Sequence, residues 1–419
     1  MKKSDGIITV KADSPAYGGF ALARGKRSVL LIKNAIPGET VVAKIEDQKK
    51  DFAFASIVRI FAASADRIKP QCPVFGVCGG CHHQYISYPR QILLKEEILR
   101  DCIRRTAKKE FDLSKPFLGA SPWQFRYRGR FKLDDGIIGF FRENSREIVE
   151  IDGCPLMKTE VNALFAKARE ICKDSPSLFD GVSELHISYG NVGSVLLKSV
   201  SKLSMARQKQ IGMLFLDAGF EGVCVMSESR KIANFGREHI SLGLDGLKYT
   251  VSPRSFFQGH WDLSVAVVKF LRQTLHPLKG KRVIALYAGS NFSLPLAFDE
   301  ADVYAVEENH TAIEDGMRNA TANGIRNCRF IECSVERLKV SDTVDTLVVA
   351  APKRGLSNSA LEKILTLEPD QIAYISCNPL ALAREMKKLL SRYEIESMRI
   401  IDCLPHTYYI KSITLLRLR

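Results

Sequence analysis

The sequence predicts a multidomain α/β protein, in which a small N-terminal β-barrel of the OB type precedes a central α+β region and a C-terminal doubly wound sheet. The chain has 419 residues, and folded domains usually take about 100–200 residues each. Short alternating apolar runs occupy the N-terminal part, whereas strands and helices alternate from about residue 255 onwards. We therefore predict three domains, over residues 1–62, 63–250 and 251–419.

The N-terminal barrel is predicted from runs of alternating apolar residues that are separated by glycine-containing turns. The clearest runs are 7–10, 28–32, 40–45 and 54–60. Strands this short and this closely spaced suit a small barrel of about five strands, which is a common nucleic-acid-binding module.

The rest of the chain shows helical and mixed patterns. Residues 90–106, 158–173 and 204–219 have the apolar spacing of amphipathic helices. The C-terminal part alternates between strands and helices, which is typical of a sheet with helices on both faces. Its predicted strands are 281–287, 302–306, 328–332, 344–350, 371–376, 397–404 and 408–418, with a helix predicted over 380–393. We expect the last of these to pair antiparallel with its predecessor.

The charge of the chain favours an anionic partner. There are 61 Lys and Arg against 47 Asp and Glu, a net charge of +14. Basic residues concentrate between residues 90 and 132, where aromatic residues are interleaved with them. This combination is typical of single-stranded RNA sites, so Arg126, Arg128 and Arg130 are candidate RNA-binding residues. The alternative is a basic, solvated strand whose rings face a core.

Targeting signals and membrane spans are not expected. Hydrophobic residues make up 46% of the chain and charged residues 26%, which excludes global disorder. No apolar stretch reaches the roughly 20 residues of a membrane span, and no apolar segment follows Lys2 and Lys3 as in a signal peptide. We expect a cytoplasmic protein with no membrane partner, acting as a monomer.

Three closely spaced cysteines predict a metal centre. They follow the pattern C-x5-C-x2-C at Cys72, Cys78 and Cys81. Cys154 is the best candidate for a fourth ligand. Four thiolates suit zinc and an iron–sulfur cluster equally well, and His82 or His83 would allow a Cys3His zinc site.

The cysteine loop, with Gly79-Gly80 between its last two cysteines and His82-His83-Gln84 after them, resembles the iron–sulfur loop of the RNA uracil-5-methyltransferase family. That family joins an N-terminal TRAM barrel, a central domain with a [4Fe-4S] cluster, and a class I methyltransferase domain that uses S-adenosylmethionine. Similar motifs lie at 16–19, 37–39, 139–142 and 252–258. The resemblance implies this architecture, an RNA partner, and Cys72, Cys78, Cys81 and Cys154 as cluster ligands.

Cys377 is the candidate nucleophile. It lies where a predicted strand ends and a helix begins, with Asn378 suited to the N-cap and Pro379 to the first helical position. A helix N-terminus stabilises a thiolate. A lone cysteine is more often a buried core residue, but the neighbouring residues match the family's nucleophile motif. The resemblance implies that Cys377 adds to C6 of uracil.

The cofactor site departs from the family pattern. The family has roughly D-L-x-C-G-x-G-x-F after the first strand, whereas residues 285–292 have Ala285 in place of the acid, a single Gly and one residue fewer. Ala350 and Ser334 also stand where acids are usual. The candidate cofactor-binding residues are Gln258, Tyr287, Asn291 and Glu307. We predict that S-adenosylmethionine binds weakly.

The base that the family uses to remove the C5 proton is also replaced, because Lys411 occupies the position of the family's Glu. A protonated Lys cannot accept that proton. We therefore predict an RNA-binding iron–sulfur protein that acts on uridine in ribosomal or transfer RNA through Cys377. It would be either a weakened methyltransferase or an enzyme with altered uridine chemistry. The alternative is a non-catalytic RNA-binding or assembly protein.

Overall fold

The structure is a computed structural model that describes residues 6–25, 28–227, 232–255, 257–275, 277–289, 293–340 and 343–419. Over these residues the chain forms a mixed α/β fold with three large sheets, one two-stranded sheet and eight α-helices. None of the helices in the described ranges is both long and apolar enough to span a membrane.

The N-terminal sheet has six strands in the order β1-β5-β6-β4-β3-β2. Its pairs are antiparallel except for β4 with β6. Alternate residues point to one side, where small and branched apolar side chains such as Ala21, Leu30, Val41 and Ala43 form the core. The strands are β1 (Ile7–Lys11), β2 (Ser14–Ala16), β3 (Phe20–Arg24), β4 (Val29–Lys33), β5 (Thr40–Gln48) and β6 (Phe52–Ala62).

The central part has a seven-stranded sheet in the order β13-β12-β11-β10-β7-β8-β9, with two helices packed against it. A long helix precedes it. The elements are α1 (Tyr88–Ala107), β7 (Arg128–Asp134), β8 (Ile137–Phe141), β9 (Ile148–Glu150), α2 (Thr159–Asp174), β10 (Val182–Tyr189), β11 (Gly193–Ser199), α3 (Met205–Asp217), β12 (Gly222–Met226) and β13 (Ile232–Gly236), with a 3₁₀ turn at Pro176–Phe179. The three predicted helices of this region are confirmed.

The C-terminal sheet has the order β18-β17-β16-β19-β20-β22-β21. Its elements, preceded by the hairpin β14 (Ile240–Leu244) and β15 (Leu247–Val251), are α4 (Trp261–Thr274), β16 (Arg282–Leu286), α5 (Ser293–Phe298), β17 (Asp302–Glu307), α6 (His310–Ala322), β18 (Cys328–Glu332), β19 (Thr346–Ala350), α7 (Asn358–Leu367), β20 (Gln371–Ser376), α8 (Pro379–Leu389), β21 (Tyr393–Ile401) and β22 (Lys411–Leu418), with a 3₁₀ turn at Val335–Arg337. The strands from β16 to β20 pair in parallel, and β22 is antiparallel to both of its neighbours. The predicted antiparallel final pair is confirmed.

The largest local difference from the sequence prediction lies between α8 and β22. The predicted helix over 380–393 ends at Leu389, and the predicted strand over 397–404 begins at Tyr393 instead. Tyr393 is buried and pairs with Leu418 of β22. Its apolar spacing predicted a helix, but pairing with β22 places it in a strand. Strand β21 ends at Ile401, and residues 402–410 connect it to β22. We call this segment the 402–410 loop.

Helix α1 joins the C-terminal part of the molecule rather than standing apart from it. Its apolar face packs against α8, and Ile98, Leu99 and Ile103 share one core with residues of the C-terminal sheet. Lys95 donates a hydrogen bond of 2.6 Å to Asp402 at the start of the 402–410 loop, with both side chains 1% exposed. The loop is therefore anchored to a helix some three hundred residues away along the chain.

Candidate active site and cysteine cavity

Cys377 lies between the end of β20 and the beginning of α8. The Asn378 side chain caps the helix by accepting from the Leu380 and Ala381 amides at 3.0 and 3.4 Å, and Pro379 is the first helical residue. The predicted N-cap at Asn378 and the predicted first helical residue, Pro379, are both confirmed. Asn378 Nδ2 also donates to the Lys353 carbonyl at 3.1 Å. The nucleophile turn is thus fastened to the turn that follows β19.

A cavity of about 650 Å³ lies at the carboxyl ends of the parallel strands, which is where open α/β sheets place their ligands. It brings together residues that the sequence singled out separately. Those lining it are Gln258, Tyr287, Glu307, Ala350, Cys377 and Lys411. The fourth cofactor candidate, Asn291, lies outside the described residues.

Glu307 ends β17 and faces this cavity, but backbone amides already engage its carboxylate. Oε2 accepts from the Gly289 amide at 3.0 Å. Oε1 accepts from the Glu308 and Asn309 amides at 3.0 and 2.9 Å. The carboxylate therefore holds the turn after β16 against the start of α6. Binding ribose hydroxyls as well would require it to share or exchange these donors.

The cavity is lined by more cations than anions. Arg126, Lys353 and Lys411 border it, whereas Glu307 is its one carboxylate among the described lining residues. Lys353 Nζ lies 4.3 Å from the centre of the Tyr409 ring. Hydrogen bonding with Tyr408 and the charge of Lys353 lower the pKa of Tyr409. Sequence reasoning missed Tyr409, because nothing local shows that the 402–410 loop enters the cavity.

Lys411 is placed by strand pairing. Lys411 is the first residue of β22 and pairs with Ile401 of β21, next to the pair of Ser376 and Ser412 that joins β20 to β22. Lys411 as a whole residue is 9% exposed, and its side chain has no hydrogen bond or ion pair with any residue that the structure describes. Lys411 therefore lines the same cavity as the candidate nucleophile Cys377.

All four predicted cysteine ligands line a second, smaller cavity of about 120 Å³. Within the described ranges, no group of three or more His, Cys, Asp or Glu side chains has the spacing of a single-ion site. Burial raises the pKa of Cys81 to about 12, and it also raises the pKa of Cys78 and of Cys154. A bound metal centre opposes this effect, because it deprotonates the thiols that coordinate it.

The backbone around this cavity is held by side-chain amides. Gln84 Oε1 accepts from the Cys72 amide at 3.0 Å. Asn162 accepts from the Cys154 amide and donates to the Cys154 carbonyl, both at 3.0 Å. The sequence offered no sign of the Asn162 contact, since α2 meets the Cys154 turn only through folding.

The three candidate RNA-binding arginines have different surroundings. Arg126 borders both the larger cavity and the cysteine cavity, with its Nε buried and without a partner among the described residues. Arg128 is 8% exposed, donates to the Ser255 carbonyl at 2.9 Å and lies over the Phe257 ring. Arg130 is the exposed one of the three. A joint role in binding RNA stays a prediction.

A wide groove of about 900 Å³ lies beside the cavity that contains Cys377, and Tyr409 lines both of them. It combines aromatic, basic and glycine residues from the N-terminal sheet, the cysteine loop, the β8–β9 connection and the 402–410 loop. Its lining includes Phe20, His82, Phe141, Arg142, Arg146 and Tyr408. The amides of His82 and His83 donate to the His406 carbonyl at 2.8 and 2.9 Å, which joins the cysteine loop to the 402–410 loop.

Comparison with known proteins gives three consistent findings. A family model described as tRNA (Uracil-5-)-methyltransferase matches residues 124–419. The 23S rRNA (uracil(1939)-C(5))-methyltransferase RlmD of Shewanella amazonensis is 30% identical over 440 residues, which cover 100% of this chain and 97% of that protein. An uncharacterized RNA methyltransferase of Aquifex aeolicus is 29% identical, with 99% of each chain covered.

Among solved structures, a similar one is the Pyrococcus abyssi tRNA (uracil-54, C5)-methyltransferase in complex with S-adenosyl-L-homocysteine. The TM-score is 0.77 at 22% identity, and the match covers 97% of this chain and 99% of that chain. At this identity the similarity shows a shared overall fold.

Proposed function

Because the chain belongs to the tRNA (uracil-5-)-methyltransferase family, we propose that it acts on a uridine of ribosomal or transfer RNA, with Cys377 attacking C6 of the base. The observation that carries this proposal is the position of Cys377 at a capped helix N-terminus, inside a cavity at the carboxyl ends of the parallel strands. A cavity of about 650 Å³ falls within the roughly 300–1,000 Å³ of small-molecule sites. A single flipped-out base can be held in a site of that size.

The groove beside the cavity is the proposed path of the RNA. Stacking on aromatic rings and pairing of phosphates with arginines are the two main ways in which proteins hold single-stranded RNA. Phe20, Phe141 and Tyr408 offer rings, while Arg142 and Arg146 offer charge. We propose that the N-terminal sheet is the TRAM domain, that the central sheet carries the cysteine cavity, and that the C-terminal sheet is the class I methyltransferase domain.

The cysteine cavity fits the [4Fe-4S] cluster that the family resemblance implies. Four thiols line one cavity, and the buried Arg126 guanidinium provides a cation beside them that suits an anionic thiolate cluster. Cys72, Cys78, Cys81 and Cys154 would hold the cluster. It would supply folding free energy to the central domain, because metal binding is coupled to folding. A cluster also brings redox capacity.

S-adenosylmethionine fits the Cys377 cavity less well than the cluster fits the cysteine cavity. The cofactor carries a sulfonium, an ammonium and a carboxylate group and is positively charged overall, and the cavity presents Arg126, Lys353 and Lys411. The acids expected at positions 285 and 350 are alanines, and Glu307 is already engaged by backbone amides. We therefore derive no step through this cofactor. The proposal is a weakened methyltransferase or an enzyme with other uridine chemistry at Cys377.

Covalent trapping tests the nucleophile. In RNA carrying 5-fluorouridine, the fluorine makes C6 more electrophilic, which favours addition of the thiolate. Once C5 of the adduct has gained a further group, the fluorine cannot leave as a proton, so the adduct at C6 persists. We expect wild-type protein to form a denaturation-resistant complex with 23S rRNA or tRNA transcripts of this kind, seen on denaturing gels. Cys377→Ala should abolish it, whereas Cys224→Ala, which removes a buried thiol of β12, should retain it.

The same gels distinguish an enzyme with Cys377 as nucleophile from a non-catalytic RNA-binding protein. Binding of these RNAs without any covalent complex would favour a non-catalytic RNA-binding or assembly protein. A complex that survives Cys377→Ala would assign the nucleophile to another residue.

Iron and sulfide analysis tests the cluster. Anaerobically purified protein should contain about four irons and four sulfides per chain, as a [4Fe-4S] centre requires. Cys81→Ser should lower the iron content and the thermal midpoint, because it removes one of four ligands of a centre that stabilises the fold. Cys172→Ser, at a buried thiol outside this cavity, is the control for iron content. Stoichiometric zinc without sulfide would contradict the proposal.

A further inference from the structure

The central sheet has two faces with different surroundings. Helices α2 and α3 pack against the face that carries Phe131, Leu185 and Val195. Because side chains alternate along a strand, the residues between these point to the opposite side, which we call the outer face. On β7, β10 and β11 the charged residues of the outer face are Arg128, Arg130, Lys132, Asp134, Glu184 and Lys198.

Strand register gathers three cations of the outer face around one carboxylate. Glu184 of β10 is paired with Lys132 of β7 on one side and with Lys198 of β11 on the other. His186, the next outer-face residue of β10, is opposite Arg130. Directly opposed residues of an antiparallel pair have Cβ atoms about 4.5–5.5 Å apart. These side chains therefore form one compact cluster.

The positive charge of this cluster exceeds what Glu184 can compensate. The carboxylate accepts a hydrogen bond from Lys132, has His186 Nε2 at 2.8 Å and has Lys198 Nζ at 3.9 Å. Arg130 is exposed and forms no hydrogen bond or ion pair with any residue that the structure describes. An anionic ligand would supply the missing charge.

The electrostatic state of Lys198 reflects the same imbalance. Burial lowers the pKa of Lys198, and the charges of Arg130, Arg128 and Lys132 lower it further, whereas Glu184 opposes them. Cations that disfavour one another in this way are stabilised together by a bound anion.

The outer face adjoins the wide groove at Phe141. Lys132 Nζ lies 4.9 Å from the centre of the Phe141 ring, and this ring lines the groove. Within the groove, Arg142 donates two hydrogen bonds to Glu147, at 2.7 and 2.9 Å, so its charge is already paired. The outer face therefore adds positive charge beside the groove that is less compensated than the charge of Arg142.

We propose that Arg130, Lys132 and Lys198 form a second RNA contact, which binds phosphates of the strand where it lies outside the groove. The inference rests on the function proposed above. Residues two apart on a strand are separated by about 6.6 Å, which is close to the spacing of neighbouring phosphates on an extended single strand. Phosphate contacts fix the position of a nucleic acid without reading its sequence. This contact thus holds the RNA while the target uridine enters the Cys377 cavity.

An acidic polypeptide would also be attracted by these cations, but single-stranded RNA fits the surroundings better. The Phe141 ring lies directly beside Lys132. Base stacking on rings combined with pairing of phosphates is the usual way in which proteins hold single-stranded RNA, whereas an acidic segment needs the charge alone.

The salt dependence of RNA binding tests the contact. The full-length protein is titrated with the 23S rRNA and tRNA transcripts and with polyuridylate at several salt concentrations. The double variant Arg130→Gln with Lys198→Gln should make the plot of log affinity against log salt less steep by about 1.4, since each neutralised phosphate of a single strand contributes about 0.7. The loss of affinity should be similar for all these RNAs, because the contact reads no bases.

The reaction itself should not depend on this contact. Neither Arg130 nor Lys198 lines the Cys377 cavity. At saturating RNA, the double variant should therefore form the covalent complex with 5-fluorouridine RNA at the wild-type rate.

Three further variants separate this contact from net charge and from folding. Arg417→Gln with Lys388→Gln removes the same charge at exposed ion pairs with Glu396 and Glu362, and it should keep the wild-type salt slope. Arg130→Lys keeps the charge and should also keep the slope. Glu184→Gln removes the shared carboxylate and should tighten RNA binding at low salt, which a misfolded protein would not do.

The possible outcomes bear on different claims. An unchanged slope in the double variant overturns the contact, and so does an equal loss in the Arg417 and Lys388 variant, which would show an effect of net charge alone. Slower covalent trapping at saturating RNA also overturns it. Binding of polyglutamate that the double variant loses while it retains RNA binding would assign the outer face to an acidic protein partner. Absence of both RNA binding and the covalent complex in the wild-type protein overturns the proposed function itself.

Discussion

Replacing Lys95 by methionine should lower the free energy of unfolding by about 3–5 kcal/mol, because it leaves the buried Asp402 carboxylate without its charged partner. The two side chains are each 1% exposed and lie 2.6 Å apart. Lys95 also donates to the Leu404 carbonyl at 3.2 Å, and Tyr88 donates to Asp402 at 2.8 Å. The loss should appear as a lower midpoint in urea unfolding followed by circular dichroism.

The same helix supplies a control. Asp101 pairs with Arg104 and Arg105 on the surface of α1, and exposed pairs contribute about 0–1 kcal/mol. Asp101→Asn should therefore change stability little. The double variant Lys95→Met with Asp402→Leu should recover much of the loss, because no uncompensated charge stays buried. A loss below about 1 kcal/mol in Lys95→Met would show that Asp402 is solvated or protonated instead.

This ion pair has a functional consequence as well as a structural one. Asp402 begins the 402–410 loop, and that loop leads directly into Lys411 and β22. Loosening the anchor on α1 should therefore disturb the position of Lys411 in the cavity that it shares with Cys377. We expect Lys95→Met to slow formation of the covalent RNA complex even under conditions where the protein remains folded.

Affinity for S-adenosylmethionine should be at least about a hundredfold weaker than that of a relative with intact acids. Each lost hydrogen bond to a charged group costs about 1.5–3 kcal/mol, and about 1.4 kcal/mol corresponds to a factor of ten. Ala285 and Ala350 account for two such losses, and the cations around the cavity oppose a cationic ligand. Calorimetric titration beside the Shewanella amazonensis RlmD protein measures the difference.

Ala350→Asp provides the matched variant, since Ala350 borders the cavity and is partly exposed. It should tighten binding of the cofactor by restoring one acid. Ala285 is a poor site for such a test, because it is buried with Ala288 and Ala305 in a small core where a carboxylate would lack a partner. Affinity of about micromolar or tighter in the wild-type protein would show that other contacts compensate and that ordinary methyl transfer is supported.

Features that depend on neighbouring residues were predictable from the sequence. The alternation of strands and helices in the C-terminal part follows from apolar spacing, and the antiparallel final pair was expected from the short connection before it. The Asn378 cap and the Pro379 start of α8 follow from residue types at a helix N-terminus. The C-x5-C-x2-C spacing already indicated that Cys72, Cys78 and Cys81 would lie together.

Burial was the property that the sequence could not supply. Arg126 and Arg128 lie in a basic, aromatic stretch that predicts an exposed RNA-binding strand. Instead, Arg128 bonds to the Ser255 carbonyl and Arg126 lies between two cavities. Residues from distant parts of the chain cover part of β7. The charge of this stretch therefore does not predict which of its arginines are exposed to solvent. Arg142 and Arg146, which border the groove, carried no comparable signal.

The sequence by itself determined the family and the alternation of strands and helices in the C-terminal part, and it singled out the cysteines proposed as cluster ligands and as nucleophile. The tertiary structure decided which distant groups stand together. Lys95 meets Asp402 across the α1 contact, and Lys411 lines the same cavity as Cys377 because β22 returns between β20 and β21. Residue type and spacing control local structure, whereas the partner and the solvation of a charge depend on packing between segments that are far apart along the chain.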